Sequence, residues 1–203
     1  MLVCRASFLV VLVALAALVA APAWAQSDPA LRAPSLFAIG LEGGFNMSTL
    51  STSAGSAASW EPGFLAGVFF TPKPNAVTWQ IGGQIQDKRA EIGEVTWRTL
   101  RLEFPAMLRV NFRGDRRYRF HLLAGGAVGM RLESSLRTDD GLGDLSSVSP
   151  LFEYSAVFGG GMDIGRMSIG VRVHQGLNTT HIVIDGLDTR SRSVAAVFGY
   201  RIE

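Results

Sequence analysis

The stretch TLRLEFPAMLRVNF at 99–112 places an apolar residue at every even position from Leu100 to Phe112. The odd positions include Arg101, Glu103, Pro105, Arg109 and Asn111. A period of two belongs to an extended strand, whose successive side chains point to opposite faces. One face of this strand must therefore meet an apolar medium while the other carries charge. The pattern recurs. In 77–86, Val77, Trp79, Ile81 and Ile85 alternate with Thr78, Gln80, Gln84 and Gln86. In 118–133, Tyr118, Phe120, Leu122, Ala124, Val128, Met130 and Leu132 alternate with Arg119, His121, Gly125, Ala127, Gly129, Arg131 and Glu133. An alternation sustained over 118–133 is long for a soluble sandwich, where strands run to about five or six residues.

The same criterion predicts strands near 36–45, 62–70, 152–164, 167–175 and 193–202, which makes eight. Pro72-Lys73-Pro74-Asn75, Gly114-Asp115-Arg116 and Gly165-Arg166 are tight turns, whereas 46–61, 88–98, 134–151 and 176–192 are long and polar. An even strand count with short turns at one end and long loops at the other describes an all-β, eight-stranded antiparallel up-and-down transmembrane β-barrel, with both termini on the periplasmic side. Its lumen is expected to hold a polar network of Glu42, Arg101, Glu103, Arg109, His121, Arg131, Glu133, Glu153, Asp163, Arg172 and His174, because buried charges need partners. A barrel of this size has an interior just wide enough for its own side chains, so the network is expected to plug it.

Two registers follow from turn chemistry. A two-residue turn at Gly165-Arg166 with glycine first sets Gly159 opposite Arg172 and Val157 opposite His174. A hairpin centred on Asp115 sets Glu103 opposite Ala127 and Arg101 opposite Gly129. Aromatics sort by depth into two interfacial girdles: Phe37, Phe70, Trp79, Phe112, Tyr118 and Tyr200 near the turn end, and Trp60, Phe64, Trp97 and Tyr154 near the loop end.

The N-terminus has the order of a secretory signal peptide: Arg5, an apolar run over 8–21, then Ala23-Trp24-Ala25. The expected organisation is a cleaved signal at 1–25, a short periplasmic segment at 26–35 and the barrel at 36–203. Cys4, the single cysteine, leaves with the signal, so no disulfide or cysteine metal ligand is expected. The chain has 19 Lys and Arg against 17 Asp and Glu, a near balance that does not suggest nucleic acid as a partner.

TLRLEFPAMLRVNF resembles a Leu-Glu-aliphatic-Pro segment of the PorT-like outer-membrane protein beta-barrel domain family. IGLEGGFNMS (39–48), PGFLAGVFF (62–70), FHLLAGGAVGM (120–130) and VRVHQGLNTT (171–180) resemble that family's first, second, fifth and seventh strands. The resemblance spans essentially the whole chain after the signal. It implies an eight-stranded bacterial outer-membrane barrel and says little about activity. The chain departs from the usual assembly signal by ending in Ile202-Glu203 rather than an aromatic.

The expected protein is a non-enzymatic monomer in contact with outer-membrane lipid, and with the barrel-assembly machinery during biogenesis. Its structural or surface-interaction role would be exercised through extracellular loops. A secreted soluble barrel with an apolar interior ligand is one alternative. A lipid-modifying outer-membrane enzyme built from His121, His174 and His181 with Ser155 and Glu153 or Asp163 is another, although no nucleophile elbow or metal-spaced histidine pair is present. No cofactor or metal is expected. The acidic stretch 137–147 lacks the alternating ligands of a calcium loop, and the two Asn-x-Ser/Thr sequons have no role in a bacterial envelope.

Overall fold

The computed structural model describes residues 37–52, 55–56, 58–72, 75–92, 95–112, 118–138, 141–144, 151–184 and 187–202. The expected signal (1–25), the following segment (26–35) and the tips of two turns, at 73–74 and 113–117, lie outside the described residues. Eight long strands form the staves: β1 (Phe37–Thr52), β3 (Ser59–Pro72), β4 (Val77–Ile92), β5 (Val95–Phe112), β6 (Tyr118–Thr138), β8 (Phe152–Ile164), β9 (Met167–Gly176) and β11 (Leu187–Ile202). Three short strands, β2 (Gly55–Ser56), β7 (Gly141–Asp144) and β10 (Thr180–Ile184), extend hairpins at the end opposite the short turns. Each stave pairs antiparallel with its neighbours, and β11 pairs with β1 over Ile39↔Ile202 to Thr52↔Thr189, which closes the sheet. Closure removes the unpaired edge that a membrane or an aggregating partner would otherwise meet.

The two faces of the wall differ as the alternation requires. Phe45, Phe104, Leu108, Phe120, Leu122, Phe158, Ile169, Val171 and Phe198 are exposed on the outside. Glu42, Gln84, Gln86, Arg101, Glu103, Arg109 and Asp163 are buried inside. This is the inverse of a soluble ligand-binding barrel. Near the short turns, Phe37 stacks on Phe70 with centroids 5.1 Å apart, and Trp79 lies 5.8 Å from Phe70. Pro105 takes an inward position opposite Ala127.

The Gly165-Arg166 turn adopts the expected register, with Gly159 opposite Arg172 and Val157 opposite His174. Gly165 has φ of 61°, a conformation that glycine adopts without a Cβ penalty. The β5–β6 register differs from expectation. Glu103 faces Gly129, Pro105 faces Ala127 and Arg101 faces Arg131, so the hairpin is centred on 116 rather than on Asp115. A shift of one residue in the centre moves each partner by two and leaves every side chain on its face. The glutamate stem needs the glycine: a Cβ on Gly129 would lie 3.3 Å from Glu103 Cγ.

The strands also run further than expected at the hairpin end. Much of 46–61, 88–98, 134–151 and 176–192 continues the ladders, with Ile92 opposite Val95 and Thr138 opposite Gly141. His181, expected in a loop, lies in β10. Once both faces of a hairpin meet water, the two-residue hydrophobic signal vanishes although backbone pairing persists.

The observed register makes a simple prediction on the outer face. Oxidation should cross-link L108C with A124C, which are Cα partners, because facing pairs sit about 4.5–5.5 Å apart. L108C with L122C should stay reduced; the reverse result would restore the Asp115-centred hairpin.

Candidate functional site in the barrel lumen

Charged residues project into the lumen from β1, β4, β5, β6, β8, β9 and β11 and gather in two tiers. In the tier nearer the long hairpins, Lys88 Nζ lies 2.7 Å from Glu103 Oε1 and 2.9 Å from Glu153 Oε1. Arg101 Nη1 is 3.1 Å from Glu153 Oε2, and His174 Nδ1 is 3.4 Å from Glu103 Oε2. Neither Arg101 nor His174 makes an aligned hydrogen bond there; Arg101 is held by its charge pairing with Glu153 and His174 by packing. Ser191 Oγ donates to Glu153 Oε1 at 2.6 Å, and Gln84 Nε2 donates to Glu103 Oε2 at 3.3 Å. Gln86 has its amide against Glu103. A carboxylate only accepts, so the amide nitrogen must face it, donating to both oxygens at 3.0 and 2.8 Å while the amide oxygen accepts from Asn46 Nδ2 at 3.1 Å. Two cations, Lys88 and Arg101, thus meet two carboxylates, Glu103 and Glu153.

The tier nearer the short turns centres on Asp163. Arg109 Nη2 donates to Asp163 Oδ2 at 2.5 Å, Nε to Asn111 Oδ1 at 2.9 Å and Nη1 to Gln80 Oε1 at 3.4 Å. Arg201 Nη1 is 3.4 Å from the same Asp163 oxygen, and Arg201 Nη2 donates to the Gly165 carbonyl at 2.6 Å. His121 Nδ1 lies 3.1 Å from Arg109 Nη2. A guanidinium has no acceptor, so this nitrogen accepts and the imidazole proton sits on Nε2. Arg172 grips Glu42 bidentately, at 3.0 and 2.6 Å, and so joins β9 to β1 over the intervening β11.

Apolar layers separate and cover these tiers. Met107, Leu123, Ala127 and Val157 pack together, as do Leu65, Ala195 and Val197. Leu50, Ala90 and Trp97, with Ala58 against them, cover the hairpin end. His121 and His174 are both buried and belong to different tiers. Among the described residues no group of three or more His, Cys, Asp or Glu is set to hold a metal ion.

Of the residues proposed for the lumen, Glu42, Arg101, Glu103, Arg109, His121, Glu153, Asp163, Arg172 and His174 are buried inside, and Arg131 is half-buried. Glu133 is exposed instead. The pairing passes from Leu100↔Glu133 to Arg101↔Arg131, so Leu132 is an extra residue that turns Glu133 out of the inward set. Trp97 also departs from expectation: it is 1% exposed, under the hairpin end of the lumen rather than at an interface. It shares odd parity with Arg101 and Glu103, and that parity outweighs its aromatic character. Trp60, Trp79, Phe112, Tyr118, Tyr154 and Tyr200 are exposed on the wall. Lys88, Gln84, Gln86, Ser191 and Arg201 were not singled out from the sequence. Lys88 falls within 88–98, expected to be a loop, yet it continues the even inward set Gln84, Gln86, Lys88, Ala90 of β4.

Residues 24–181 match the model of a family described as outer membrane protein beta-barrel domain. No curated protein matches the sequence. Among solved structures, Neisserial surface protein A aligns at 13% identity over 81% of this chain and 97% of that one, with a TM-score of 0.48. Ail, the attachment invasion locus protein of Yersinia pestis, aligns at 13% over 82% and 99%, with a TM-score of 0.45. The outer membrane enzyme PagL aligns at 14% over 78% and 99%, with a TM-score of 0.44.

Removing one member of a buried pair leaves the other uncompensated, which costs about 3–5 kcal/mol. Lys88→Met should therefore lower urea-unfolding stability in lipid vesicles by about that amount, and Lys88→Met with Glu103→Leu should recover part of it. A single-variant loss below about 1 kcal/mol, the exposed-pair scale, would mean the tier is not a dry, coupled network.

Proposed function

The chain belongs to the outer membrane protein beta-barrel domain family, and from that membership we propose a non-conducting, non-enzymatic barrel that serves the cell surface through its long hairpins. It is a small bacterial outer-membrane barrel of eight staves. The observation that carries the proposal is the filled lumen: two ion-paired tiers, apolar layers between them and the Trp97 cover. An ion crossing this lumen would have to break buried pairs, which leaves desolvated charge uncompensated. The two buried histidines lie in different tiers and share no site, which supports a non-catalytic role. Among the described residues the short strands β2, β7 and β10 extend hairpins at one end and the Gly165-Arg166 turn lies at the other, which favours extracellular hairpins with periplasmic termini. The PorT-like resemblance is the finer family placement that we favour. A monomer is the state we favour, since a wall closed on itself leaves no strand edge to pair with a second copy.

Two measurements address this reading. In planar bilayers the purified barrel should give no steady conductance, and Arg101→Ala should destabilise it without opening a path; a stable ohmic current in the native chain would overturn the plugged lumen. On whole cells, an impermeant maleimide should label G141C and spare R166C, and the opposite pattern would invert the topology. A deletion strain with an altered outer-membrane lipid mass profile would return the enzyme alternative.

A further inference from the structure

Asp87 and the two arginines over it take no part in the lumen tiers. Along β4 the even residues Gln84, Gln86 and Lys88 face inward, so Asp87 and Arg89 face the outside of the wall. Arg89 and Arg98 are direct cross-strand partners, a position in which like charges repel. The carboxylate between them answers that repulsion. Arg89 Nε and Nη2 donate to Asp87 Oδ2 at 3.0 and 2.7 Å, and Arg98 Nε donates to Oδ1 at 2.9 Å. The anchor has no solvent exposure, whereas the Arg89 and Arg98 side chains are 37% and 51% exposed.

The backbone beneath is fixed from the other side. β3 leaves the β4 ladder between Trp60 and Leu65, where Pro62 has no N–H to give. Side chains of β1 supply the missing bonds: Asn46 Nδ2 donates to the Asp87 carbonyl at 3.1 Å, while Ser48 Oγ donates to the Arg89 carbonyl and accepts from the Arg89 N–H, both at 2.7 Å. Gly63 allows this close approach, since a Cβ there would lie 2.1 Å from the Asp87 carbonyl oxygen.

The pair sits where the apolar wall ends. Ile85, Leu100, Leu102 and Phe104 share its outward face on the short-turn side, Trp60 is opposite Ala90 beside it, and exposed Glu91 lies beyond. Glu61 and Glu91 lie close to each other and to Arg89. These acids repel an anion arriving from the solvent side, so the open approach is along the membrane interface. We propose that Arg89 and Arg98, held apart and aimed by Asp87, clasp the phosphate of a membrane-lipid headgroup at the long-hairpin end. Guanidinium forks suit phosphate in geometry as well as charge.

The test uses the detergent-purified barrel and native mass spectrometry with two probes of equal chain length, phosphatidic acid and phosphatidylcholine. The native chain should retain phosphatidic acid about tenfold more than phosphatidylcholine, the scale of one charge-assisted fork. R89Q/R98Q should bring the two within about twofold, and R98Q alone, at a half-exposed position that leaves the fold intact, should fall between them. R166Q, at a distant turn, should leave the preference whole. An R98Q chain that keeps the native preference, or an R166Q chain that loses as much, would overturn the proposal. So would equal competition by free inorganic phosphate, which would make the site one for a soluble anion.

Discussion

A carboxylate and a cation sealed inside an eight-stranded wall have only each other, and the architecture follows from that constraint. Glu103 meets Lys88, with His174, Gln84 and Gln86 around it; Asp163 meets Arg109 and Arg201; Glu42 meets Arg172. Ser191, Gln84 and Gln86 occupy further acceptor positions on Glu153 and Glu103, where a desolvated lone pair gains from a donor. Small residues make room for the long stems, which explains why Gly129 and Gly159 stand opposite Glu103 and Arg172.

The opposite face of the same strands answers a different solvent. Leu102, Phe104 and Leu108 give hydrocarbon nothing to hydrogen-bond, while their neighbours Arg101, Glu103 and Arg109 find counter-charges within, in Glu153, Lys88 and Asp163. Charge returns to the outer face near the hairpin end, at Asp87, Arg89 and Arg98 and at exposed Glu91 and Glu133. A strand here is a partition between two media, and its composition changes with depth on each side.

Much of this was legible in the sequence because a period of two is insensitive to errors of register. The β5–β6 partners were assigned two residues away, yet every inward residue of 101–111 kept its face. Where parity itself changes, the sequence signal fails. Leu132 inserts one residue and Glu133 turns outward, with nothing in the local composition to announce it. Lys88 and Trp97 were legible in principle, since both continue the inward sets of their strands. They were displaced by rules about loops and girdles that are weaker than alternation. The Asp87 cluster combines Pro62, Gly63, Asn46 and Ser48 from two other strands, a coincidence that only the folded sheet brings together.

The ion pairs also say something about how the wall comes together. Arg172 and Glu42 are separated by 130 positions in the chain, Lys88 and Glu153 by 65, and Ser191 and Glu153 by 38. None of these contacts exists until distant staves have met, and the Arg172–Glu42 clasp spans the very junction of β11 with β1. An open sheet would therefore hold naked charge against lipid, an arrangement that membranes tolerate poorly. Closure and charge compensation therefore arrive together: the sheet whose last strand has met its first is also the one in which Glu42 has its partner.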